Sequence, residues 1–134
     1  MKTKQQVTPK IELKKSFEIE SARFLPYLPK SHPYSQTHGH SFKITLTLQG
    51  AIDSKLGWLV DYHLITKAVS PVLKQIDHKL LNKVPDLKNP TTENLTIWLY
   101  EAIKSKLPEL TRITVKETSD TECSYPANFK NSYE

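Results

Sequence analysis

Residues 40–49, HSFKITLTLQ, decide the fold class, because apolar and polar side chains alternate along them. The apolar members are Phe42, Ile44, Leu46 and Leu48, and the polar members between them are Lys43, Thr45 and Thr47. A period of two with one apolar face is typical of an antiparallel strand that covers a core. The stretch therefore predicts a strand in a sheet with one polar face.

Two further stretches alternate in the same way. Residues 10–23 place Ile11, Leu13, Phe17 and Ile19 on one side, and residues 111–117 direct Ile113 and Val115 inward. A short fourth strand is expected around residues 123–125. Residues 24–39, between the first two strands, are rich in proline and show no helical period, which predicts a long loop. Long ordered loops in small domains tend to be functional.

The middle of the chain changes to a helical period. Residues 61–76 repeat apolar side chains every three or four positions, and Asp61 stands where an N-cap belongs. Pro71 is expected to kink or break this helix. A second helix is predicted over 93–106, with Thr92 as its cap. The order β-β-α-α-β, followed by the short fourth strand, predicts an α+β fold with both helices on one face of an antiparallel sheet.

Length and composition narrow the class of protein. The 134 residues fit a single domain, 1–134, with residues 1–9 expected to form a flexible tail. No run of about 18 apolar residues is present, which excludes a transmembrane helix. Residues 1–10 are polar and basic, unlike a secretory signal, and the single Cys123 fits a reducing compartment. We therefore expect a cytoplasmic protein that has no membrane partner.

The chain is basic, with a net charge of +5 and an isoelectric point near 9.2. A basic protein can meet nucleic acid or a phosphorylated small molecule. The lysines are scattered, and Lys14-Lys15 is the only adjacent basic pair. A solvated surface is therefore favoured over a nucleic-acid groove, which uses a focused basic patch.

The segment His38-Gly39-His40 leads into the second strand and offers two imidazoles at i and i+2. Side chains at this spacing project to the same side of a strand, and paired imidazoles are good zinc ligands. Two ordinary surface or core histidines are the alternative interpretation.

Three other segments carry polar groups at the ends of elements. Asp77-His78 follows the first helix, where the carboxylate either sets the imidazole's tautomer and basicity or merely forms a polar helix end. Glu117-Thr118 ends the third strand, where a carboxylate can accept two parallel N–H bonds from a pterin or guanine edge, or be a charged strand terminus. Thr91-Thr92 is mainly a helix-start signal.

Six motifs follow one another in a fixed order along the chain. They are residues 17–23 (FEIESAR), 38–40 (HGH), 57–62 (GWLVDY), 77–82 (DHKLLN), 90–95 (PTTENL) and 117–118 (ET). This order and spacing resemble the 6-pyruvoyl tetrahydropterin synthase family, and most closely its 6-carboxytetrahydropterin synthases of queuosine biosynthesis. The resemblance runs from Phe17 to Tyr125, which is nearly the whole domain.

The resemblance implies a tunnelling fold, in which sheets of several subunits close into a barrel and trimers stack into hexamers. The site then lies between subunits of a homo-oligomer. It also implies a lyase that acts on 7,8-dihydroneopterin triphosphate, a pterin triphosphate, with loss of triphosphate and rearrangement or cleavage of the side chain. The family's zinc ion polarises the side-chain oxygens, and here His38 and His40 match two of its three histidine ligands.

The resemblance also assigns roles to the other motif residues. Asp77 and His78 match the family's acid–base pair. Glu117 matches the glutamate that anchors the amino-pyrimidine edge of the pterin, with Thr118 beside it. Thr91 and Thr92 match residues that line the same pocket.

Two residues depart from the family pattern. Arg23 stands where the first zinc histidine belongs, and a guanidinium has no lone pair to offer a metal. Tyr34 stands where the catalytic cysteine belongs, four residues before His38, and a phenol is a poorer base than a thiol at neutral pH.

These departures leave three interpretations open. Arg23 replaces the zinc with a fixed positive charge that holds a substrate hydroxyl or phosphate oxygen, while Tyr34 and His78 move protons. Alternatively, the chain is a catalytically altered or inactive homologue that binds a pterin without turnover. In the third interpretation, His32 or His63 completes a metal site.

Overall fold

The two alternating stretches in the first half of the chain form a long antiparallel pair. The computed structural model describes residues 8–127, and within them β1 spans Lys10–Arg23 and β2 spans His38–Ala51. Their register runs without interruption from Lys10 opposite Ala51 to Arg23 opposite His38. The predicted bounds of β1 are confirmed, whereas β2 is longer than the predicted 40–49 because ladder pairing with β1 continues beyond the alternating residues.

Two shorter strands complete a four-stranded sheet in the order β1-β2-β3-β4. β3 spans Leu110–Thr118, and β4 spans Thr121–Tyr125, so the expected fourth strand is confirmed. Each strand is antiparallel to its neighbour. Short 3-10 turns at Pro33–Ser35 and Leu81–Lys83 lie in the loops that approach one end of β1.

Helix α1 spans Tyr62–Lys74 and begins at the predicted cap, where the Asp61 carboxylate accepts a hydrogen bond from the His63 backbone N–H at 2.9 Å. It continues through Pro71, so the predicted break does not occur. Pro71 is exposed and lies in the last turn, where the lost hydrogen bond interrupts little of the helix.

Helix α2 spans Thr92–Lys104 and is capped one residue earlier than predicted. The Thr91 hydroxyl accepts the hydrogen bond from the Asn94 N–H at 3.0 Å, so Thr91 is the N-cap. Because Thr91 is the cap, the hydroxyl of Thr92, the first helical residue, is available for contacts with the sheet.

Both helices pack on the apolar face of the sheet, as the α+β prediction requires. The fully or nearly fully buried side chains of this interface include Ile19, Phe42, Ile44, Leu46, Leu48, Ile65, Val69, Val72, Leu95, Leu99, Ile103, Ile113 and Val115. None of the helices within residues 8–127 has the length and apolar character to cross a membrane. Residues 1–7 of the predicted flexible tail lie outside the described residues, and Thr8 and Pro9 are exposed.

A pair of leucine truncations tests this description of the core. Leu46 on β2 is fully buried, whereas Leu64 on α1 is 53% exposed. We expect Leu46→Ala to lower the free energy of unfolding by about 2–5 kcal/mol, because it leaves a cavity, and Leu64→Ala to change it by less than about 0.5 kcal/mol. Urea unfolding measures both. Equal effects would contradict the assigned burial.

Candidate functional site

The core face of the sheet becomes polar at one end, and the candidate residues lie there. Three register pairs on this face are Ile19 with Phe42, Ser21 with His40, and Arg23 with His38. The first pair belongs to the apolar core, whereas the other two carry polar side chains. Because directly opposite side chains are neighbours on a sheet face, the register alone brings Arg23 against the two histidines.

Arg23 is buried and held by four hydrogen bonds. Its Nη2 donates to both carboxylate oxygens of Glu117 at 2.9 Å, and its Nη1 donates to the Pro90 carbonyl at 3.1 Å and to the Thr92 hydroxyl at 3.2 Å. The Thr92 hydroxyl donates in turn to Glu117. The guanidinium lies 5.3 Å from the centroid of the Phe42 ring. This arrangement joins the ends of β1, β3 and α2 through one charge pair.

Sequence reasoning missed the Arg23–Glu117 contact because it treated the two residues separately. A signal was available in the alternation of the strands. Arg23 has the parity of buried Ile19 on β1, and Glu117 has the parity of buried Ile113 and Val115 on β3. Opposite charges on one core-facing surface favour a pair, since an isolated buried charge is costly.

The pair shifts the pKa values of its neighbours. Burial by itself would raise the pKa of Glu117, but hydrogen bonds from Thr92 and Arg23, with the charges of Arg23 and His40, outweigh it, and the pKa lies below its ordinary value. Burial lowers the pKa of His40; the Glu117 charge opposes this, while Arg23 and His38 add to the lowering. The favoured state is therefore an ionised Glu117 beside a neutral His40.

His38 and His40 converge as the sequence predicted, with ring centroids 4.8 Å apart. The Nδ1 atom of His38 lies 2.7 Å from the Gln36 carbonyl, which can only accept, so Nδ1 carries a proton and Nε2 of the neutral ring has a lone pair. The Nε2 atoms of both rings are buried and have no hydrogen-bond partner within residues 8–127.

These residues do not fit the zinc site that the resemblance implied. The third ligand position is occupied by Arg23, whose guanidinium is protonated and paired with Glu117. Across residues 8–127, no group of three or more His, Cys, Asp or Glu side chains could hold a metal ion. Tetrahedral zinc sites take three or four such protein ligands.

Tyr34 lies at the mouth of this cluster. It is in the 3-10 turn of the proline-rich loop and is 55% exposed. Its ring centroid lies 5.7 Å from that of His38 and 5.1 Å from that of His32. The fold therefore places Tyr34 beside His38, whereas His63 belongs to the first turn of α1 and His32 caps the turn that contains Tyr34.

Of the two interpretations of the Asp77-His78 segment, the structure agrees with the one in which the two side chains contact each other. The Asp77 Oδ1 lies 2.9 Å from the His78 Nδ1, and the same oxygen accepts the Glu20 backbone N–H at 2.9 Å. The imidazole is 76% exposed, so its Nε2 faces solvent or a ligand. His78 Nδ1 carries the proton in this contact, since the Asp77 carboxylate accepts it, which leaves Nε2 free to take or give a proton.

The segment that carries His78 is docked on the edge of β1. The His78 N–H donates to the Glu20 carbonyl at 2.6 Å, and the Ala22 N–H donates to the Lys79 carbonyl at 3.0 Å. His78 has a φ of 58°, in the left-handed region that costs a residue with a side chain about 1 kcal/mol or more. An open groove of about 500 Å³ is lined by both His78 and His40, so the two predicted clusters share one surface.

Of the remaining predicted residues, one belongs to the cluster, and the others stabilise a helix end, a turn or a loop. Thr92 belongs to the cluster, whereas Thr91 is used as a helix cap. Thr118 is exposed, and its hydroxyl bonds Asp120 at 2.9 Å and Thr121 at 2.5 Å in the β3–β4 turn. Asn82, named only as part of a motif, holds the loop after β1 through hydrogen bonds of 3.0 and 2.8 Å to the Phe24 backbone.

The ion pair predicts a specific pH dependence of stability. Glu117→Gln leaves the Arg23 charge buried without its partner and should lower the free energy of unfolding by about 3 kcal/mol at neutral pH. The folded pKa of Glu117 lies below the ordinary 4.5, so the stabilisation is complete above that pH and is lost as the pH falls through the folded pKa. Urea unfolding of both proteins between pH 3 and pH 7 should therefore show a difference that shrinks at the acidic end. A difference that is constant with pH would contradict the ion pair.

Replacing Arg23 tests whether this residue prevents His38 and His40 from binding zinc. Arg23→His places a third imidazole opposite His38, and we expect about one zinc per chain after dialysis against zinc, with clearly less in the unaltered protein. Metal analysis of the folded proteins measures this. Arg112→His, on β3 outside the cluster, is the matched control and should leave the zinc content unchanged. Equal zinc in the unaltered protein and in Arg23→His would show that Arg23 does not obstruct a metal.

Comparisons with known proteins agree with the motif resemblance. The sequence model of the family described as 6-pyruvoyl tetrahydropterin synthase matches residues 12–128. Dihydroneopterin monophosphate aldolase of Pyrococcus furiosus is 36% identical over 94 residues, which cover 68% of this chain and 79% of the relative. 6-Carboxy-5,6,7,8-tetrahydropterin synthase of Bacillus subtilis is 29% identical over 126 residues, covering 85% and 84%.

A solved structure shows the same fold. The 6-pyruvoyl tetrahydropterin synthase of Caenorhabditis elegans superposes with a TM-score of 0.84 at 24% identity and covers 92% of this chain and 100% of its own. This likeness confirms the predicted tunnelling fold of the single chain. Since the family's sequence model spans nearly all the described residues, the chain belongs to the 6-pyruvoyl tetrahydropterin synthase family.

Proposed function

We propose that this protein is a lyase that acts on the carbon-6 side chain of a dihydroneopterin phosphate, with 7,8-dihydroneopterin triphosphate as the expected substrate. The names of the relatives support this class, because they describe a dihydroneopterin monophosphate aldolase and synthases of 6-carboxy and 6-pyruvoyl pterins. Each name points to chemistry on the same side chain. A place in the queuosine-precursor branch rests on the motif resemblance and stays a prediction.

The observation that carries the proposal is the Asp77–His78 pair. Elimination of triphosphate or cleavage of a side-chain carbon bond requires a group that takes a proton from a carbon or hydroxyl and returns it. His78 has an exposed imidazole whose Nδ1 is bonded to Asp77 at 2.9 Å, which fixes the ring and leaves Nε2 for proton transfer. The left-handed backbone at His78 supports a functional role, since such strain is retained where it is used.

In this proposal, Tyr34 is a second proton carrier at the mouth of the site, and Glu117 contacts the amino-pyrimidine edge. A carboxylate has about four lone-pair positions, of which Arg23 uses two and Thr92 uses one. Glu117 can therefore accept one N–H of a pterin while Arg23 stays bound, and a second only if Arg23 moves. Thr92 already supports this carboxylate through the hydrogen bond from its hydroxyl.

A second candidate function is a pterin-binding homologue that is catalytically altered or inactive. The specific observation in its favour is that the Glu117 carboxylate is already held by Arg23 through two hydrogen bonds of 2.9 Å. Tyr34 in place of the family's cysteine points the same way.

The sheet's outer strands in the described part of the chain are β1 and β4, and we expect their edges to meet other copies in a homo-oligomer of the family type.

Product analysis separates these functions. The protein is incubated with 7,8-dihydroneopterin triphosphate or monophosphate, and the released compounds are measured. Triphosphate together with acetaldehyde supports a 6-carboxytetrahydropterin synthase, triphosphate alone a 6-pyruvoyl synthase, and a phosphorylated aldehyde from the monophosphate an aldolase. Pterin binding without any product supports the inactive homologue. Neither binding nor product would contradict both functions.

A histidine replacement tests the assigned base. We expect His78→Ala to lower kcat by about 100-fold or more, because general acid–base catalysis contributes that much, with pterin affinity nearly unchanged. His63→Ala removes a comparably exposed imidazole on α1 and is the matched control. Steady-state kinetics of the two variants measures the effect. A kcat that is the same in both variants would remove His78 from the mechanism.

A further inference from the structure

A separate cavity of about 280 Å³ lies on the face of the sheet opposite the helices. Lys14, which lines this cavity, is seven residues along β1 from Ser21, which lines the groove of His40 and His78. At the rise of a strand these two residues are about 23 Å apart. The proposed lyase chemistry uses none of the polar residues that line the cavity, which are Glu12, Lys14, Thr47, Gln49, Thr111 and Arg112.

A β-bulge shapes this cavity. Thr47 pairs with Arg112 and Leu48 pairs with Leu110, so Thr111 is an extra residue on β3. Bulges bend a strand and redirect its side chains, and here both Thr111 and Arg112 line the cavity. The Thr111 hydroxyl donates to the Thr47 carbonyl at 3.2 Å, which holds the extra residue in place. The irregularity in β3 therefore contributes to a concave place on a sheet face that is otherwise a pleated surface.

Two cations flank the floor of the cavity. Thr47 is 3% exposed, and its register partners on either side are Lys14 on β1 and Arg112 on β3. Neither cation makes an ion pair within residues 8–127. The Nε of Arg112 donates to the Pro126 carbonyl at 3.2 Å, a bond that positions the guanidinium and uses only one of its five N–H donors. Two unpaired positive charges beside one depression favour an anion, and arginine favours the oxygens of phosphate.

One carboxylate shares the cavity with these cations. Glu12 follows the same face of β1 as Lys14, and its Oε2 accepts a hydrogen bond from Gln49 Nε2 at 2.7 Å. An ionised carboxylate can only accept hydrogen bonds, so it repels an anion that has no proton and binds one that can donate. Inorganic phosphate and phosphate monoesters retain such a proton near pH 6, whereas sulfate does not. The charges of the cavity therefore favour a protonated phosphate over sulfate.

We propose that this cavity is a binding site for a phosphate group that carries a proton, either inorganic phosphate or the phosphate monoester of a small molecule. Lys14 and Arg112 contact its charged oxygens, and the Glu12 carboxylate accepts the hydrogen bond from its P–OH group. The cavity is larger than a phosphate ion, which leaves room for the organic part of a monoester. The site is distinct from the proposed pterin groove and does not depend on the proposed function.

Calorimetric titrations at pH 6 and constant ionic strength compare inorganic phosphate, methyl phosphate and sulfate. We expect phosphate to bind about 10-fold more tightly than sulfate or better, and Arg112→Gln or Lys14→Gln to weaken phosphate binding by about 10-fold or more. Lys116→Gln removes one positive charge from the same face of β3 outside the cavity, and this matched control should change the affinity by less than about twofold.

A carboxylate replacement tests the selection of a protonated anion. An amide can donate as well as accept, so Glu12→Gln should strengthen sulfate binding and reduce the preference for phosphate to about twofold or less. Equal affinity for phosphate and sulfate in the unaltered protein, or a preference that survives in Glu12→Gln, overturns this part of the proposal.

The other outcomes decide the site itself. Absence of saturable phosphate binding, or an equal loss in Lys116→Gln and Arg112→Gln, overturns it. Phosphate binding that is lost in His78→Ala but kept in Arg112→Gln places the anion in the groove and also overturns it, while the proposed function stands. If the site is confirmed, tighter binding of methyl phosphate supports a phosphate monoester as the ligand, and tighter binding of inorganic phosphate supports the free ion.

Discussion

The uninterrupted register between β1 and β2 is the constraint on which the rest of the molecule depends. It places Ile19 against Phe42 at the core end of one face and Arg23 against His38 at the polar end. Successive side chains point to opposite faces, so a slip by one residue would move the core and the site to the wrong face together. One set of backbone hydrogen bonds therefore positions both the hydrophobic core and the candidate site.

The charge pair of Arg23 and Glu117 is what that register makes possible. A guanidinium at the position of a zinc histidine would be an isolated buried charge if β3 did not end with a carboxylate on the same face. The pair neutralises itself and makes further hydrogen bonds beside the start of α2. Arg23 donates to the Pro90 carbonyl and to the Thr92 hydroxyl, and that hydroxyl donates to Glu117. The consequence is that the position of the family's first zinc histidine holds a cation whose charge is neutralised within the protein.

The Asp77–His78 pair is positioned in a different way, by backbone hydrogen bonds to the edge of β1. Residues that follow α1 return to the edge of β1 and bond its backbone at Glu20 and Ala22, which holds His78 in a left-handed conformation. The same docking aims the imidazole at the groove that His40 also lines. Backbone pairing thus compensates the conformational cost at His78, and the strained residue faces the surface where the proposed chemistry takes place.

The amino-acid sequence by itself determined the strands, the helices, the α+β class and the family, because hydrophobic periodicity and short motifs are local properties. It also identified nearly every residue of the candidate site, from His38 and His40 to Asp77, His78 and Glu117. Only the tertiary structure decided that Arg23 pairs with Glu117, that Thr91 is a cap whereas Thr92 joins the site, and that Thr118 does not. These outcomes depend on which groups compete for each hydrogen bond after distant strands and a helix end meet. That competition is absent from any local stretch of sequence, since its partners are separated by as many as 94 positions.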